Sequence, residues 1–284
     1  MGKEIARKPR WIKFSIPGGK EYTRLKGIIS AQKLHTVCTE ARCPNIGECF
    51  SCGTATFLIM GPVCTRNCRY CSVASGVPAE LDHDEPFRVA AAVRDMNLTY
   101  AVITSVTRDD LADGGASCFA ATVENIRSLV PSCSVELLIP DFKGSMEPSL
   151  ARIIDARPDV INHNIEVVKS HYRELRPRGD YGLSLRLLKS ASASGIPAKS
   201  GLMIGFGETI EEIFGTIDDL ADAGCSIITV GQYLQSKVDG YPTVKYYTPD
   251  EFIRIEHYAR EKGVSRVLSG PLVRSSYHAS LLSN

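Results

Sequence analysis

The sequence predicts an α/β fold built on a parallel sheet, and two observations carry that prediction. From about residue 55 onward, short apolar runs alternate with helical patterns. Such alternation makes a parallel sheet joined by right-handed crossovers. The first 54 residues do not follow it and carry cysteines of their own, so they read as an N-terminal extension. About six strand–helix units leave an open doubly wound sheet or a partial or complete barrel. No G-x-G-x-x-G follows the first strand, so a dinucleotide-binding sheet has no support.

Taken in order, the strands are Thr56–Met60, Tyr100–Thr104, Ser134–Ile139, Asp159–Asn164, Lys199–Ile204 and Ile227–Gly231. Each is short, apolar and bounded by polar residues, Gly or Pro, as strands covered on both faces are. The helices are Pro86–Met96, Ser117–Leu129, Pro148–Ala156, Leu183–Ser194, Thr209–Ala223 and Pro249–Lys262. Proline suits the first turn of a helix, where its missing N–H costs nothing. Ligand sites in either architecture gather at the carboxyl ends of the strands. No internal repeat or low-complexity segment interrupts the pattern.

Hydrophobic residues make up 44% of the 284 and charged residues 23%, enough for a well-buried core. The net charge of +1 argues against nucleic acid or an anionic membrane as the main partner. The charged start, MGKEIARKPRWIKF, lacks a signal-like apolar run, and no stretch reaches membrane-spanning length. The expectation is a soluble, cytoplasmic protein, with monomer as the default.

The chain has ten cysteines, seven of them between positions 38 and 71. In a cytosolic protein such grouping points to metal or catalysis rather than disulfides. Cys118, Cys133 and Cys225 stand apart among apolar neighbours and are expected to pack as small hydrophobes. Cys64, Cys68 and Cys71 form a C-x3-C-x2-C loop directly after the first strand. Three thiolates hold three irons of a 4Fe–4S cube and leave the fourth iron open. That open iron can chelate S-adenosylmethionine, whose reductive cleavage gives a 5′-deoxyadenosyl radical. Upstream, Cys38, Cys43 and Cys49 offer a second set of three, spaced C-x4-C-x5-C. A zinc ribbon from Cys49, Cys52, Cys68 and Cys71 also matches a known spacing. It would split the loop triad, strand Cys38, Cys43 and Cys64, and straddle the first strand. Cys52 reads better as a packed spectator.

The two triads together resemble the lipoyl synthase family of the radical SAM superfamily. So do CTEARCPNIGEC, GTATFLIMG, ITSVTRDDLADGGA, NHNIE, KSGLMIGFGET, GQYLQ and RSSYHA, spread from about residue 34 to residue 280. The resemblance implies a partial (β/α)6 TIM-like barrel over 55–270, the extension 1–54 with the auxiliary cluster ligands, and a short C-terminal segment 271–284. It also implies a reaction, insertion of sulfur at C6 and C8 of an octanoyl chain amide-linked to a carrier-protein lysine. These are unactivated C–H bonds, within reach of a primary carbon radical but not of an ordinary acid, base or nucleophile. The sulfur then comes from the auxiliary 4Fe–4S cluster. The implied partners are an octanoylated glycine-cleavage H protein or E2 lipoyl domain, and a reducing electron donor.

By the same resemblance Cys64, Cys68 and Cys71 ligate the radical-generating cluster and Cys38, Cys43 and Cys49 the auxiliary one. A serine of Arg274-Ser275-Ser276-Tyr277, placed on Ser276, supplies the auxiliary cluster's fourth ligand. Asn164 and Glu166 match the segment that holds S-adenosylmethionine, with Thr104, Ser105 and Tyr70 as further contacts. Asn and Thr at strand ends also serve simply to satisfy loop backbone. His163 is expected to face the helix layer, and Gly205 and Gly207 to make a turn. The basic start, Lys3, Arg7, Lys8 and Arg10, either meets an acidic carrier or is an exposed tail. The chain departs from the family pattern at Thr39, at Ser236 and at Gly240-Tyr241-Pro242-Thr243-Val244, so a radical SAM sulfur-inserting enzyme with another acyl or carrier substrate stays open. A zinc-stapled binding protein is the reading outside catalysis, and metal content separates it from the others.

Overall fold

The computed structural model describes residues 8–14, 16–51, 55–237, 239–277 and 279. Helix α1 (Lys20–Ala31) leads into β1 (His35–Thr36) and the short helices α2 (Val37–Glu40) and α3 (Ile46–Ser51). Strand β2 (Thr56–Ile59) opens the alternation, and the small pair β3 (Val63–Cys64) and β4 (Ala74–Ser75) lies in the loop after it. There follow α4 (Glu85–Asp95), β5 (Tyr100–Ser105), α5 (Ala116–Leu129), β6 (Ser134–Leu138), α6 (Met146–Asp155) and β7 (Val160–Asn162). A short α7 (Tyr172–Leu175) precedes α8 (Tyr181–Ala193), β8 (Ala198–Ile204), α9 (Ile210–Asp222), β9 (Ile227–Gln232), α10 (Pro249–Glu261) and β10 (Arg266–Gly270).

The main sheet runs β1-β2-β5-β6-β7-β8-β9-β10. Every neighbour is parallel except β1, which pairs antiparallel with β2. Among the described residues β1 and β10 do not pair with each other, so the sheet is a partial barrel. Six β/α units are present as the alternation predicts, and the sheet goes further at both edges. Strand β10 escapes the sequence reading because only Val267 is buried in Arg-Val-Leu-Ser-Gly; an edge strand needs no continuous apolar run. Strand β1 ties the N-terminal extension to the sheet through His35 with Leu58 and Thr36 with Phe57. Strand β7 is shorter than predicted, because the chain turns at Glu166, whose φ of +70° lies in the left-handed region.

The helices form where local chemistry starts them and an apolar stripe holds them. Thr209 and Thr248 each make a reciprocal capping box, with Glu212 and Glu251, and Pro249 occupies the first turn after Thr248. Helix α9 buries Ile213, Thr216, Ile217 and Leu220, the i, i+3, i+4, i+7 stripe of one face. Each such Ile or Leu is worth about 1.5–3 kcal/mol of burial. Phe119, Val123, Ile126 and Ile153 fill one apolar cluster and Ile213, Ile217, Phe252 and Ile255 the other.

The lower part of the barrel is polar and closed on itself. Lys199 Nζ lies 2.9 Å from both oxygens of Glu136, which also accept from Asn162 Nδ2 and Tyr100 OH at 2.7 Å. The site is built at the opposite end, where the strands finish.

Candidate metal-cluster centre

The C-x3-C-x2-C loop is bolted to the barrel by charge. Arg66 is buried within it and donates two hydrogen bonds to Asp109 at 2.7 and 2.8 Å and two to Asp141 at 2.6 and 2.7 Å. Burial works against the Arg66 charge, and the two carboxylates more than offset it, raising its pKa. Asp141 is likewise held below its ordinary range, Arg66 overcoming the effect of burial. Asp109 follows β5 and Asp141 follows β6, so the cation pins the loop across two strand ends. Backbone contacts add to this: Thr65 N to Thr107 O at 3.0 Å, Arg69 N to Leu175 O at 2.9 Å and Cys71 N to Cys68 O at 3.0 Å. Burial pushes the Cys71 thiol up to about 12 and raises Cys68, with the Arg176 guanidinium opposing the shift at Cys68. A cluster would bind the deprotonated form, so its binding would release these protons.

The second triad is assembled from both ends of the chain. Thr36 caps α2 by accepting from Thr39 N at 3.3 Å, which sets Cys38 in the first turn. Cys43 N donates to Cys38 O at 3.1 Å and Cys49 N to Asn45 O at 2.8 Å, folding the three cysteines together. Cys38, Cys43 and Cys49 line one small cavity, shared with Asn45, Thr56, Arg274, Ser276 and Tyr277. Burial pushes Cys38 up to about 12, reinforced by Cys43. Burial also raises Cys43, against the pull of Arg274.

The two serines of the RSSY segment point to different neighbours. Ser276 lines the auxiliary cavity, while Ser275 Oγ accepts from Asn164 Nδ2 at 3.2 Å. The same amide donates to Glu166 Oε1 at 3.1 Å. Burial raises the Glu166 pKa, with Arg176, Asn164 and Arg274 opposing. A Cβ at Gly201 would come 2.7 Å from Asn164 Oδ1, so only glycine leaves Asn164 its place.

The predicted cofactor contacts divide. Thr104 Oγ1 donates to Leu138 O at 2.8 Å and is occupied by the fold. Ser105 Oγ and Asn164 Oδ1 are buried without a partner among the described residues, as is Arg176 Nε. An orphaned hydroxyl and carbonyl at the strand ends and a guanidinium N–H at the end of α7 suit a ligand carrying hydroxyl, amino and carboxylate groups. Tyr70 lies beside Glu166 and Arg176, its ring 6.2 Å from that of Phe206; burial raises its pKa, helped by Glu166.

His163 faces the helix layer as expected. Its Nδ1 lies 2.8 Å from Ile139 O and its Nε2 2.9 Å from Ser184 Oγ, which continues to Tyr172 OH at 2.8 Å and Arg176 Nη1 at 2.6 Å. Gly205 and Gly207 have φ of +124° and +112° and make a turn closed by Glu208, which accepts from Gly205 N at 2.5 Å and Phe206 N at 2.9 Å.

Arg66, Arg176 and Arg274 carry no spacing signal that would mark a role in the sequence, although Arg66 and Arg274 sit inside the motifs. The segment at which the chain departs from the family pattern lies between the triads. Ser236 O accepts from Arg42 Nη1 at 3.4 Å, its hydroxyl meets that of Ser72, and Tyr241 N donates to Arg69 O at 3.2 Å. Thr39 shares the Thr36 hydroxyl at 3.1 Å. Cys52, Lys3 and Arg7 lie outside the described residues.

Among the described residues no three Cys, His, Asp or Glu side chains form a site for one metal ion. A cubane would ask for one thiolate on each of three irons, the donor set each triad supplies.

Comparison with known proteins agrees with this geometry. The radical SAM superfamily model matches residues 58–220, and the model of the N-terminal domain of lipoyl synthase matches residues 2–43. Lipoyl synthase of Rubrobacter xylanophilus is 53% identical over 274 residues, 96% of this chain and 85% of that protein. Lipoyl synthase of Roseiflexus sp. is 50% identical over 97% of this chain and 92% of its own length, and that of Oleidesulfovibrio alaskensis 49% over 97% and 94%. Among solved structures, HydG, a maturase of the FeFe-hydrogenase, matches with TM-score 0.60 at 14% identity, covering 80% of this chain and 53% of HydG. Methylornithine synthase matches with TM-score 0.55 at 12% identity, covering 77% and 72%. These distant likenesses concern the fold alone.

Proposed function

The chain belongs to the lipoyl synthase family of radical SAM enzymes, and from that premise we propose that it inserts two sulfur atoms, at C6 and C8 of an octanoyl-lysine carried on a partner protein. The family's cofactors are S-adenosylmethionine and two 4Fe–4S clusters. When bound, they supply a hydrogen-abstracting radical and sulfide. Cys64, Cys68 and Cys71 hold the first cluster, and Cys38, Cys43, Cys49 and Ser276 the second. The division into 1–54, 55–270 and 271–284 follows these roles.

The protein's own work is placement. Arg66 fixes the loop triad over the strand ends, so the cluster does not shift when the cofactor enters. Asn164, Glu166 and Ser105 orient the cofactor, with Arg176 Nε available for its carboxylate. Thr104 contributes by holding β5 to β6 rather than by touching ligand. Tyr70, Phe206, Tyr233 and Tyr241 stack around the loop, with Phe206 4.2 Å from Tyr233 and 5.8 Å from Tyr241, and keep water from the reacting space. The observation that carries this reading is the Asn164 amide, which reaches Glu166 on one side and Ser275, neighbour of Ser276, on the other. It ties the strand-end residues proposed to hold the cofactor to the segment that carries Ser276.

The substrate is an octanoylated H protein or E2 lipoyl domain, reduced equivalents come from a separate electron donor, and the enzyme acts in the cytoplasm as a monomer. No helix among the described residues is long and apolar enough to cross a membrane. The test begins with metal. Anaerobic reconstitution is expected to give about eight irons per chain, and about four in a Cys38/Cys43/Cys49→Ala variant. An octanoyl-lysine peptide is then expected to become lipoyl-lysine by mass spectrometry. Cofactor cleavage with no sulfur added to that peptide would favour another acyl or carrier substrate, the reading motivated by the departures at Ser236 and 240–244. One zinc and no labile sulfide would end the radical mechanism.

A further inference from the structure

Ser276 belongs to a segment that no regular element holds. It follows β10, and the fold must bring it back across the mouth to the cysteines of the N-terminal extension. Three contacts contribute, beside the Asn164–Ser275 hydrogen bond. Asn45 Nδ2 donates to Leu272 O at 2.7 Å. Tyr277 OH donates to Glu48 Oε1 at 2.8 Å. Between them the chain presses on β9, where a Cβ at Gly231 would collide with the Val273 carbonyl and approach Arg274 Nη1 to 3.1 Å. Asn45 lies between Cys43 and Cys49, and Glu48 immediately precedes Cys49.

From these contacts we infer that Asn45, Glu48 and Tyr277 form a clasp that joins the two ends of the chain and positions Ser276 at the auxiliary cavity. They are positioning residues, and none ligates iron. The inference rests on the reading of Ser276 as the fourth ligand, and it adds how that ligand is kept in place. Two of the clasp residues are adjacent in sequence to a ligand, Glu48 to Cys49 and Tyr277 to Ser276. One hydrogen bond therefore sets two ligands at once. Asn45 grips the segment a few residues earlier and fixes its direction. Gly231 supplies the floor. Because no strand pairing holds 271–277 among the described residues, the clasp opens without breaking the barrel, giving Ser276 a route away from the cavity.

The test starts with metal-free protein, so that it does not depend on cluster chemistry. Trypsin cleavage after Arg274 reports how often the segment lifts, since cleavage follows the open population when reclosing is fast. A hydrogen bond to a carboxylate is strong enough that Tyr277→Phe is expected to speed release of the 275–284 peptide by roughly tenfold. Asn45→Ala is expected to act in the same direction. Tyr258→Phe, which loses a bond to Asp218 on distant helices at 3.0 Å, serves as the control and is expected to leave that rate unchanged. Cleavage of Tyr277→Phe at the wild-type rate overturns the clasp. The reconstituted Tyr277→Phe protein is then compared by Mössbauer spectroscopy. The expected result is a changed auxiliary-cluster signal beside an unchanged radical-cluster signal. Faster cleavage with both signals unchanged would overturn the ligand reading of Ser276, and with it the positioning role, while leaving the loop-triad assignment intact.

Discussion

The two cysteine triads are held by different forces, and the contrast says what each is built for. The loop triad sits on one tight turn, clamped by a buried Arg66 between Asp109 and Asp141. The auxiliary triad lies between segments more than 200 residues apart, joined by hydrogen bonds such as Asn45 to Leu272 O. On the proposed reaction, a cluster that persists through turnover would suit the charged clamp, and one that gives up its sulfur would suit a housing that can open. The fold offers both because the loop triad is pinned to the strand ends, whereas residues 271–277 follow β10 and belong to no strand.

The largest way to break this contrast is to remove the clamp. Arg66→Ala leaves a fully buried Asp141 carboxylate without its counter-ion, and loss of one partner of a buried pair costs about 3–5 kcal/mol. Urea denaturation is expected to show that loss, with iron lost from the loop triad in the reconstituted protein. Arg66→Lys keeps the charge without the fork and is expected to recover only part of it.

A somewhat smaller effect comes from pH, on the barrel side of the site. Burial, helped by Arg176, lowers the His163 pKa from 6.5 to about 4. Between those values the unfolded chain binds a proton that the native state does not. The stability His163 contributes is therefore intact above pH 6.5, is lost as pH falls toward 4, and changes no further below that. The shift corresponds to roughly 3 kcal/mol. His163→Gln is expected to flatten the stability profile in that window; an unchanged slope would assign the acid sensitivity to another group.

Ser276→Ala sharpens the contrast from the other side. Its effect on urea stability is expected to stay within about 1 kcal/mol. Cofactor cleavage should persist while sulfur insertion into the octanoyl peptide falls away. Loss of both activities together would mean that the two sites are not separable. The smallest effect is expected at Cys118, half-buried against the apolar cluster with its thiol pushed up to about 12 by burial. Cys118→Ala should change stability by about 1 kcal/mol or less and leave both clusters intact.

Much of this was legible along the chain. The six strand–helix units follow from apolar period and punctuation, and the two triads from spacing. His163 was legible as structural because alternation in a strand sends neighbours to opposite faces. Thr104 was not: whether a strand-end hydroxyl meets a ligand or a backbone carbonyl depends on the neighbouring strand, here Leu138 O. Strand β10 was hidden because an edge strand with one buried residue has no apolar run to read. The counter-ions of Arg66 were hidden because Asp109 and Asp141 lie 43 and 75 residues away.

By itself the sequence determined the fold class, the grouping of six cysteines into two triads and the chemistry that three thiolates on a short loop permit. Those are local properties, set by period and by spacing over a few residues. Only the tertiary structure decided which serine lines the auxiliary cavity, which polar atoms are left without partners, and what clamps or clasps each triad. Those depend on which distant strand ends and chain ends meet, and hydrogen bonds and ion pairs between them leave no periodic mark on a single chain.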